Sequence, residues 1–313
     1  MYELKFIIPE IFLSITIFTL LIFGVFKKNS FEIIYRLTIL TIFSLILIIL
    51  TGENQSAKIF SESFVVDKFS LYSKFLILVS CFFVLLISKK YIIYIKNDKF
   101  EYPIIILLSI LGMFIIVSSN DLILFYLGLE LQSLALYILA SIDRDNIKSS
   151  EAGIKYFVLS ALSSGLLLYG CSLVYGFTGS TNFDQIALMT VDFNTGIIFG
   201  MVFIIVGLAF KISAVPFHMW SPDVYEGSPT SVTSFFSVVP KIAGVSIFIK
   251  FMYLPFREIL TEWQYILVFM SIASMILGAV AAIGQKNIKR LMAYSSIGHI
   301  GYAIAGIAAG SEN

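Results

Sequence analysis

The stretch GIIFGMVFIIVGLAFKISAVPFHMWSPDVYEGSPTSVTSFFSVVPKIAGVSIFIKFMY, residues 196–253, decides the fold. It holds two apolar runs, 196–220 and 229–253, joined by a short polar connection. Each run meets the roughly 20 residues that a bilayer core requires. Each also carries one lysine, Lys211 or Lys241, where a lipid-buried segment should carry none. Working outward, similar runs lie near 6–26, 31–51, 70–88, 102–119, 121–142 and 155–178 on one side, and near 264–284 and 287–309 on the other. Of the 313 residues, 58% are AVILMFWYC and only 13% are charged, against about 25% in a soluble domain. A water-soluble globule of this length cannot bury so much apolar surface. The expectation is an all-α polytopic membrane protein of about ten transmembrane helices, forming one membrane domain over 1–313.

Composition also excludes several functions. The net charge of +1, with no basic tail, argues against a nucleic-acid partner. Cys81 and Cys171 both fall inside apolar runs, which argues against a disulfide framework, an iron–sulfur cluster or a thiolate zinc site. No P-loop, dinucleotide fingerprint, zinc-helix motif or nucleophile elbow occurs. The expectation is therefore no cofactor and no metal in this chain. The first segment lacks the cationic start of a signal peptide and is too long for its apolar core.

Loop cations predict orientation. One side receives Lys27, Lys28, Arg36, Lys89, Lys90, Lys96, Lys99, Arg144, Lys148, Lys155, Lys286, Lys289 and Arg290, thirteen in all. The other holds six: Lys5, Lys58, Lys68, Lys74, Lys250 and Arg257. The richer side should face the cytoplasm, which puts Met1 and Asn313 outside. The loop 179–195, with Asp184 and Asp192 and no cation, fits the outer side.

Lys211 and Lys241 are the two basic residues left over, and Glu130 is equally misplaced, about 12 Å into its span at 1.5 Å per residue. An ionisable group at mid-bilayer costs roughly 2.5–3.5 kcal/mol on insertion scales and marks a candidate functional site. The competing reading is a static ion pair between helices. Each charge lies in a helix-face stripe of small or polar residues: Tyr126, Glu130, Ser133 and Tyr137; Ser234, Ser237, Lys241 and Gly244; Gly207, Lys211, Ala214 and His218. Such faces must turn to the bundle interior or to water, although Ser and Gly taken alone equally mark close helix packing. Pro216 and Pro240 sit beside the lysines, and proline frees a backbone carbonyl one turn back. Broken helices of this kind expose groups that hold ions in transporters. The two histidines, His218 and His299, are either satisfied structural residues or proton-relay groups, since imidazole titrates near neutral pH.

Four segments carry a resemblance: GLELQSLALYILAS (128–141), EAGIKYFVLSALSSGLLLYGCSLVYGFTGS (151–180), GLAFKISAVPFHMWSPDVYEGSPTSVTSFFSVVPKIAG (207–244) and NIKRLMAYSSIGHIGYAIAGI (287–307). Together they resemble the family of N subunits among the antiporter-like membrane subunits of proton-pumping NADH–quinone oxidoreductase, respiratory complex I. The likeness is strong over residues 100–310 and weak over the first three spans. PDVYEGSPT with VPKIAG is specific to the N subunits, whereas NIKRLMAYSS is shared across cation/proton antiporters.

The resemblance implies an antiporter-like fold of fourteen spans built on two inverted five-helix repeats. Spans one to three would cover about 6–88, the first repeat about 102–253, and the start of the second about 264–309. It implies that Glu130 in GLE, Lys211 in AFK and Lys241 in VPK serve proton translocation. NAD, FMN, iron–sulfur clusters and quinone would belong to partner subunits, in a bacterial cytoplasmic membrane. The partners implied are the other complex I membrane subunits and the lipid bilayer. The chain stops about four spans short of the family pattern. It is then a fragment, a truncated gene product, or one half of a subunit completed by a second chain.

The expected mechanism is a proton half-channel whose switch is the Glu130–Lys211 pair, with Lys241 as the next carrier and Ser234, Ser237, His218 and His299 as bridging groups. Two other functions compete: a sodium/proton antiporter subunit, and a non-pumping assembly fragment.

Overall fold

A computed structural model of the chain describes residues 3–27, 29–52, 56–190 and 194–310. Met1, Lys28, Asp192 and Asn313, on which part of the topology expectation rests, lie outside the described residues. Ten of the described helices are long and apolar enough to cross a membrane. They are α1 (Ile8–Phe26), α2 (Phe31–Thr51), α3 (Lys68–Tyr94), α4 (Glu101–Ser118), α5 (Leu122–Ala140), α6 (Ile147–Thr178), α8 (Thr195–Ile212), α10 (Thr230–Tyr253), α11 (Leu260–Ile283) and α12 (Ile288–Ala308). Between them lie the short helices α7 (Phe183–Met189) and α9 (Trp220–Gly227), and a hairpin of β1 (Ala57–Ile59) with β2 (Phe64–Val66). The chain divides into two compact units, residues 1–153 with 228–243, and residues 154–227 with 244–313.

In the first unit α4 and α5 run antiparallel through a three-residue turn. Asp121 ends that turn and caps α5, its carboxylate accepting from the Ile123 and Leu124 amides, which offsets two of the orphan donors at a helix start. Gly112 lets the two backbones nearly touch: a Cβ there would lie 2.6 Å from Gln132 N and 2.9 Å from Gly128 O. The β-hairpin is hooked to the α4–α5 turn by Asn120, whose backbone N–H donates to Ser63 O at 2.8 Å and whose side chain donates to Glu62 O. Ile7, Ile59, Phe64 and Val66 form the cluster beneath it. An Asp67/Ser70 capping box then starts α3.

In the second unit α11 and α12 pair closely. Ser271 Oγ donates to Gly301 O at 2.8 Å, and Gln264 Nε2 to Ala308 O at 2.8 Å. α6 and α8 pack along a small-residue seam. A Cβ on Gly207 would meet Leu167 Cβ at 2.5 Å, and one on Gly170 would meet Gly200 O at 2.8 Å. Their other faces present Leu162, Phe157 and Phe199 outward, as a lipid-facing surface requires.

Three expectations change. The span expected over 196–220 ends at Ile212, because Val215 precedes a proline and Pro216 has no N–H for the Ile212 carbonyl. Ala214 and His218 therefore leave the helix face shared by Gly207 and Lys211. Pro240, by contrast, lies inside an unbroken α10, so only one of the two lysines sits beside a break. Finally, Lys74 and Lys250 are not loop cations. Lys74 is buried in α3 and Lys250 is buried in the last turns of α10. Counting charge along the chain cannot distinguish a cation at a span's end from one drawn inward by a partner.

Candidate functional site

Glu130 sits two residues past Gly128, at the level where α4 and α5 approach most closely. Gly128 Cβ would lie 2.9 Å from Ile115, so this turn of α5 is fixed by backbone packing. Glu130 is half-buried. Its Oε1 is buried and has no hydrogen-bond partner among the described residues. A carboxyl oxygen left unpaired away from water is costly. Ser133, one turn on, returns its hydroxyl to Leu129 O at 2.7 Å.

Lys241 belongs to the same unit and is 7% exposed. The two serines of its stripe are less committed to it than the spacing suggests. Ser234 is exposed and donates to Thr230 O, and Ser237 donates to Ser234 O at 2.8 Å. Both hydroxyls are turned back to their own helix, as serines in apolar helices commonly are.

Lys211 occupies the last turn of α8, in the second unit. Its Nζ donates to Ser160 Oγ on α6 at 2.7 Å. The break behind it is built in detail. Ser213 takes left-handed geometry at φ 64°, its amide donates to Phe210 O, and the Ala214 amide donates to Ala209 O at 2.9 Å. These bonds satisfy carbonyls that the helix end leaves orphaned. Phe210 O also accepts from Trp220 Nε1 at 2.9 Å. Val215 N donates to Ser274 Oγ on α11 at 2.9 Å. The Trp220 indole stacks on Tyr156 of α6, ring centroids 4.4 Å apart.

His218 is half-buried in the linker after the break. Burial pushes its imidazole below the ordinary value of 6.5, against a hydrogen bond with the Pro216 backbone. His299 is exposed on α12, with its ring 6.4 Å from Tyr302. The structure thus gives Lys211 a defined partner within its unit, and places His299 on an outward helix face.

Three features escaped the sequence reading. Ser160 lies in the quoted EAGIKYF segment but looked like any small residue. An ion cluster joins three of the quoted segments: Asp223 accepts from Lys155 and from Arg290, each at 3.0 Å, and Glu226 accepts from Arg290 at 3.0 Å. Lys289 Nζ adds a bond to Glu226 O at 3.3 Å. These are α6, the 213–227 linker and α12, so the motifs that carry the resemblance meet in space within one unit. Beside them Tyr225 is fully buried, and that burial pushes its phenol upward, against a hydrogen bond with Ser296. The third feature is an ion pair of Lys74 with Glu10 at 2.6 Å, both buried.

The family model described as NADH:quinone oxidoreductase/Mrp antiporter, TM, matches residues 119–313. The chain belongs to that family. The matched stretch contains Glu130, Ser160, Lys211, His218, Asp223, Lys241 and Arg290. Among curated antiporter-family relatives, NADH-quinone oxidoreductase subunit N of Pelagibacter ubique (strain HTCC1062) is 59% identical over 313 residues, covering 100% of this chain and 66% of the relative. A chain in the structure of respiratory complex I from Thermus thermophilus with bound aureothin superposes with a TM-score of 0.82 at 29% identity, over 97% of this chain and 65% of that one. A chain of the membrane-bound sulfane sulfur reductase, an archaeal respiratory membrane complex, reaches a TM-score of 0.86 at 23% identity over 97% of this chain and 64% of that one; that likeness shows the fold alone. The chain thus spans just under two thirds of the length of these proteins. The expected all-α antiporter-like fold holds.

Proposed function

We propose that this chain forms most of an N-type membrane subunit of a proton-pumping NADH–quinone oxidoreductase. In this reading it couples electron transfer in partner subunits to proton movement through the membrane. The observation that carries it is Lys211. An ammonium group stands at the end of an interrupted apolar helix, held by a neutral hydroxyl, in a family whose model is named for quinone oxidoreductases and antiporters.

In this proposal Glu130, Lys211 and Lys241 each carry protons, in a multi-pass membrane protein whose cation-rich loops face the cytoplasm of a bacterial cell. His218, placed after the break, serves as a relay group. His299 faces outward and would act only against a partner. NAD, FMN, iron–sulfur clusters and quinone reside in partner subunits. Moving one proton against 100 mV requires about 2.3 kcal/mol, within reach of a coupled electrostatic push.

The test is Lys211→Met in the assembled complex. Methionine keeps the stem volume and removes the titratable group. The expected outcome is a normal subunit level with slowed NADH-driven proton uptake in inverted vesicles. Lys211→Arg should fail likewise, because a guanidinium does not release its proton. Normal pumping in Lys211→Met would refute the relay. Sodium-dependent uptake in place of proton uptake would move the chain to the antiporter reading.

A further inference from the structure

Lys211 does not meet Ser160 alone. Ser160, Ser163 and Ser164 are spaced i, i+3, i+4 on α6, so they share one face with Cβ atoms about 5–6 Å apart. That face is the seam with α8. Ser160 touches Lys211, and Leu167, one turn beyond Ser163 and Ser164, touches Gly207. The two intermediate serines therefore stand between these contacts, beside the turn of α8 that ends in Lys211. They are 5% and 4% exposed, and their hydroxyl oxygens have no hydrogen-bond partner among the described residues.

Ser109 and Ser118 on α4 are orphaned in the same way, but Ser163 and Ser164 stand one turn from Ser160, the partner of Lys211. Ser14, Thr38, Ser88 and Ser133 each return their hydroxyl to the carbonyl four residues back on their own helix. Ser163 and Ser164 do not. A buried hydroxyl without a partner costs free energy, and a polar site of this kind is where a protein holds internal water.

We propose that Ser160, Ser163 and Ser164 form a water-binding site that takes up the proton released by Lys211. This rests on the relay reading of Lys211. The ammonium N–H donated to Ser160 Oγ breaks as that oxygen gains the proton. Ser160 passes its own hydroxyl proton to a water held by Ser163 and Ser164. The sum is Lys–NH3+ plus water giving Lys–NH2 plus hydronium, with the serine unchanged. Hydroxyls suit this step because each both accepts and donates.

The experiment compares Ser163→Ala/Ser164→Ala with Lys211→Met and the unaltered protein, each in the assembled complex. The readouts are subunit level and the initial rate of NADH-driven proton uptake per assembled complex, in H2O and in D2O. The expected result is normal assembly, an uptake rate lowered about tenfold or more, as for a lost proton-transfer group, and a larger D2O effect. Ser160→Ala should behave in the same way, and Ser160→Thr, which keeps the hydroxyl, should recover most of the rate. A slow Lys211→Met beside a double variant with unaltered rate and isotope effect would overturn the serine site while leaving the relay standing. Normal pumping in Lys211→Met would instead remove the relay on which the site rests. Failure of the double variant to assemble would assign the two hydroxyls to packing and equally overturn the proposal.

Discussion

The Lys74 ammonium lies 2.6 Å from Glu10 Oε1, and the rings of Phe64 and Phe114 stand 5.3 and 5.6 Å from the same nitrogen. The pair ties α1 to α3. Because Phe64 belongs to β2, it also seats the hairpin over the ends of both helices. Lys74 is 1% exposed, so Glu10 and the two π-faces take the place of water around its ammonium.

Removing one partner of this pair should be harsher than removing both. Glu10→Gln or Lys74→Met strands a buried group and should cost about 3–5 kcal/mol. Glu10→Leu with Lys74→Met leaves apolar groups of similar volume, and should come close to the unaltered protein. Thermal midpoints of the purified complex in detergent, compared across the three variants and the unaltered protein, check this. A loss in the double variant equal to the sum of the two single losses would show that the pair contributes no coupling.

The cluster of Asp223, Lys155, Arg290 and Glu226 should behave differently, since its side chains are 25–43% exposed. Exposed pairs are worth about 0.2–1 kcal/mol each, and screening lengths fall from about 10 Å at 0.1 M salt to about 3 Å at 1 M. Asp223→Asn should therefore lower stability modestly, and the difference should shrink at high salt. Proteolysis rates of the 213–227 linker at the two salt concentrations are the measurement.

Gly112→Ala should loosen the α4–α5 hairpin. Its new methyl would press on the Gln132 and Gly128 backbones, which cannot swing aside as a side chain can, so a cost of about 1–3 kcal/mol is expected. Gly165 on α6 has nothing within 4 Å of an added Cβ. Gly165→Ala should be neutral, or stabilising by up to about 1 kcal/mol. Heat-inactivation midpoints of the two variants should move in opposite directions or, at the least, only the first should fall.

His218 supplies a pH signature. Burial holds its folded-state pKa below the ordinary 6.5, so below that pH the unfolded chain binds more protons than the folded one. Stability must then rise with pH through this window and be lost as the pH falls below 6.5. His218→Gln should remove that component. Unfolding midpoints from pH 8 down to pH 5 should converge between variant and unaltered protein at the alkaline end and differ in slope at the acidic end.

The ten spans and the buried charges were legible from sequence because the bilayer acts on each segment separately. A run of twenty apolar residues reports its own environment, and Glu130, Lys211 and Lys241 stand out against it whatever they later touch. The end of α8 was only half legible. Pro216 announced a break, but the break fell at Ser213, because left-handed geometry there lets the Phe210 and Ala209 carbonyls be satisfied at once. Pro240 announced a break that did not come.

Partner choice was not legible at all. Ser160 is 51 residues from Lys211, Asp223 is 68 from Lys155, and Glu10 is 64 from Lys74. Hydropathy and helical period are local quantities and say which face of a segment is polar. They do not say which face of another segment it meets. Sequence therefore determined that this chain crosses a membrane about ten times and carries charges inside it. Only the tertiary structure decided that Lys211 rests on a serine and Lys74 on a glutamate. Those contacts are fixed by helices packing to within hydrogen-bond reach, where a difference of a few ångströms separates a bond from none.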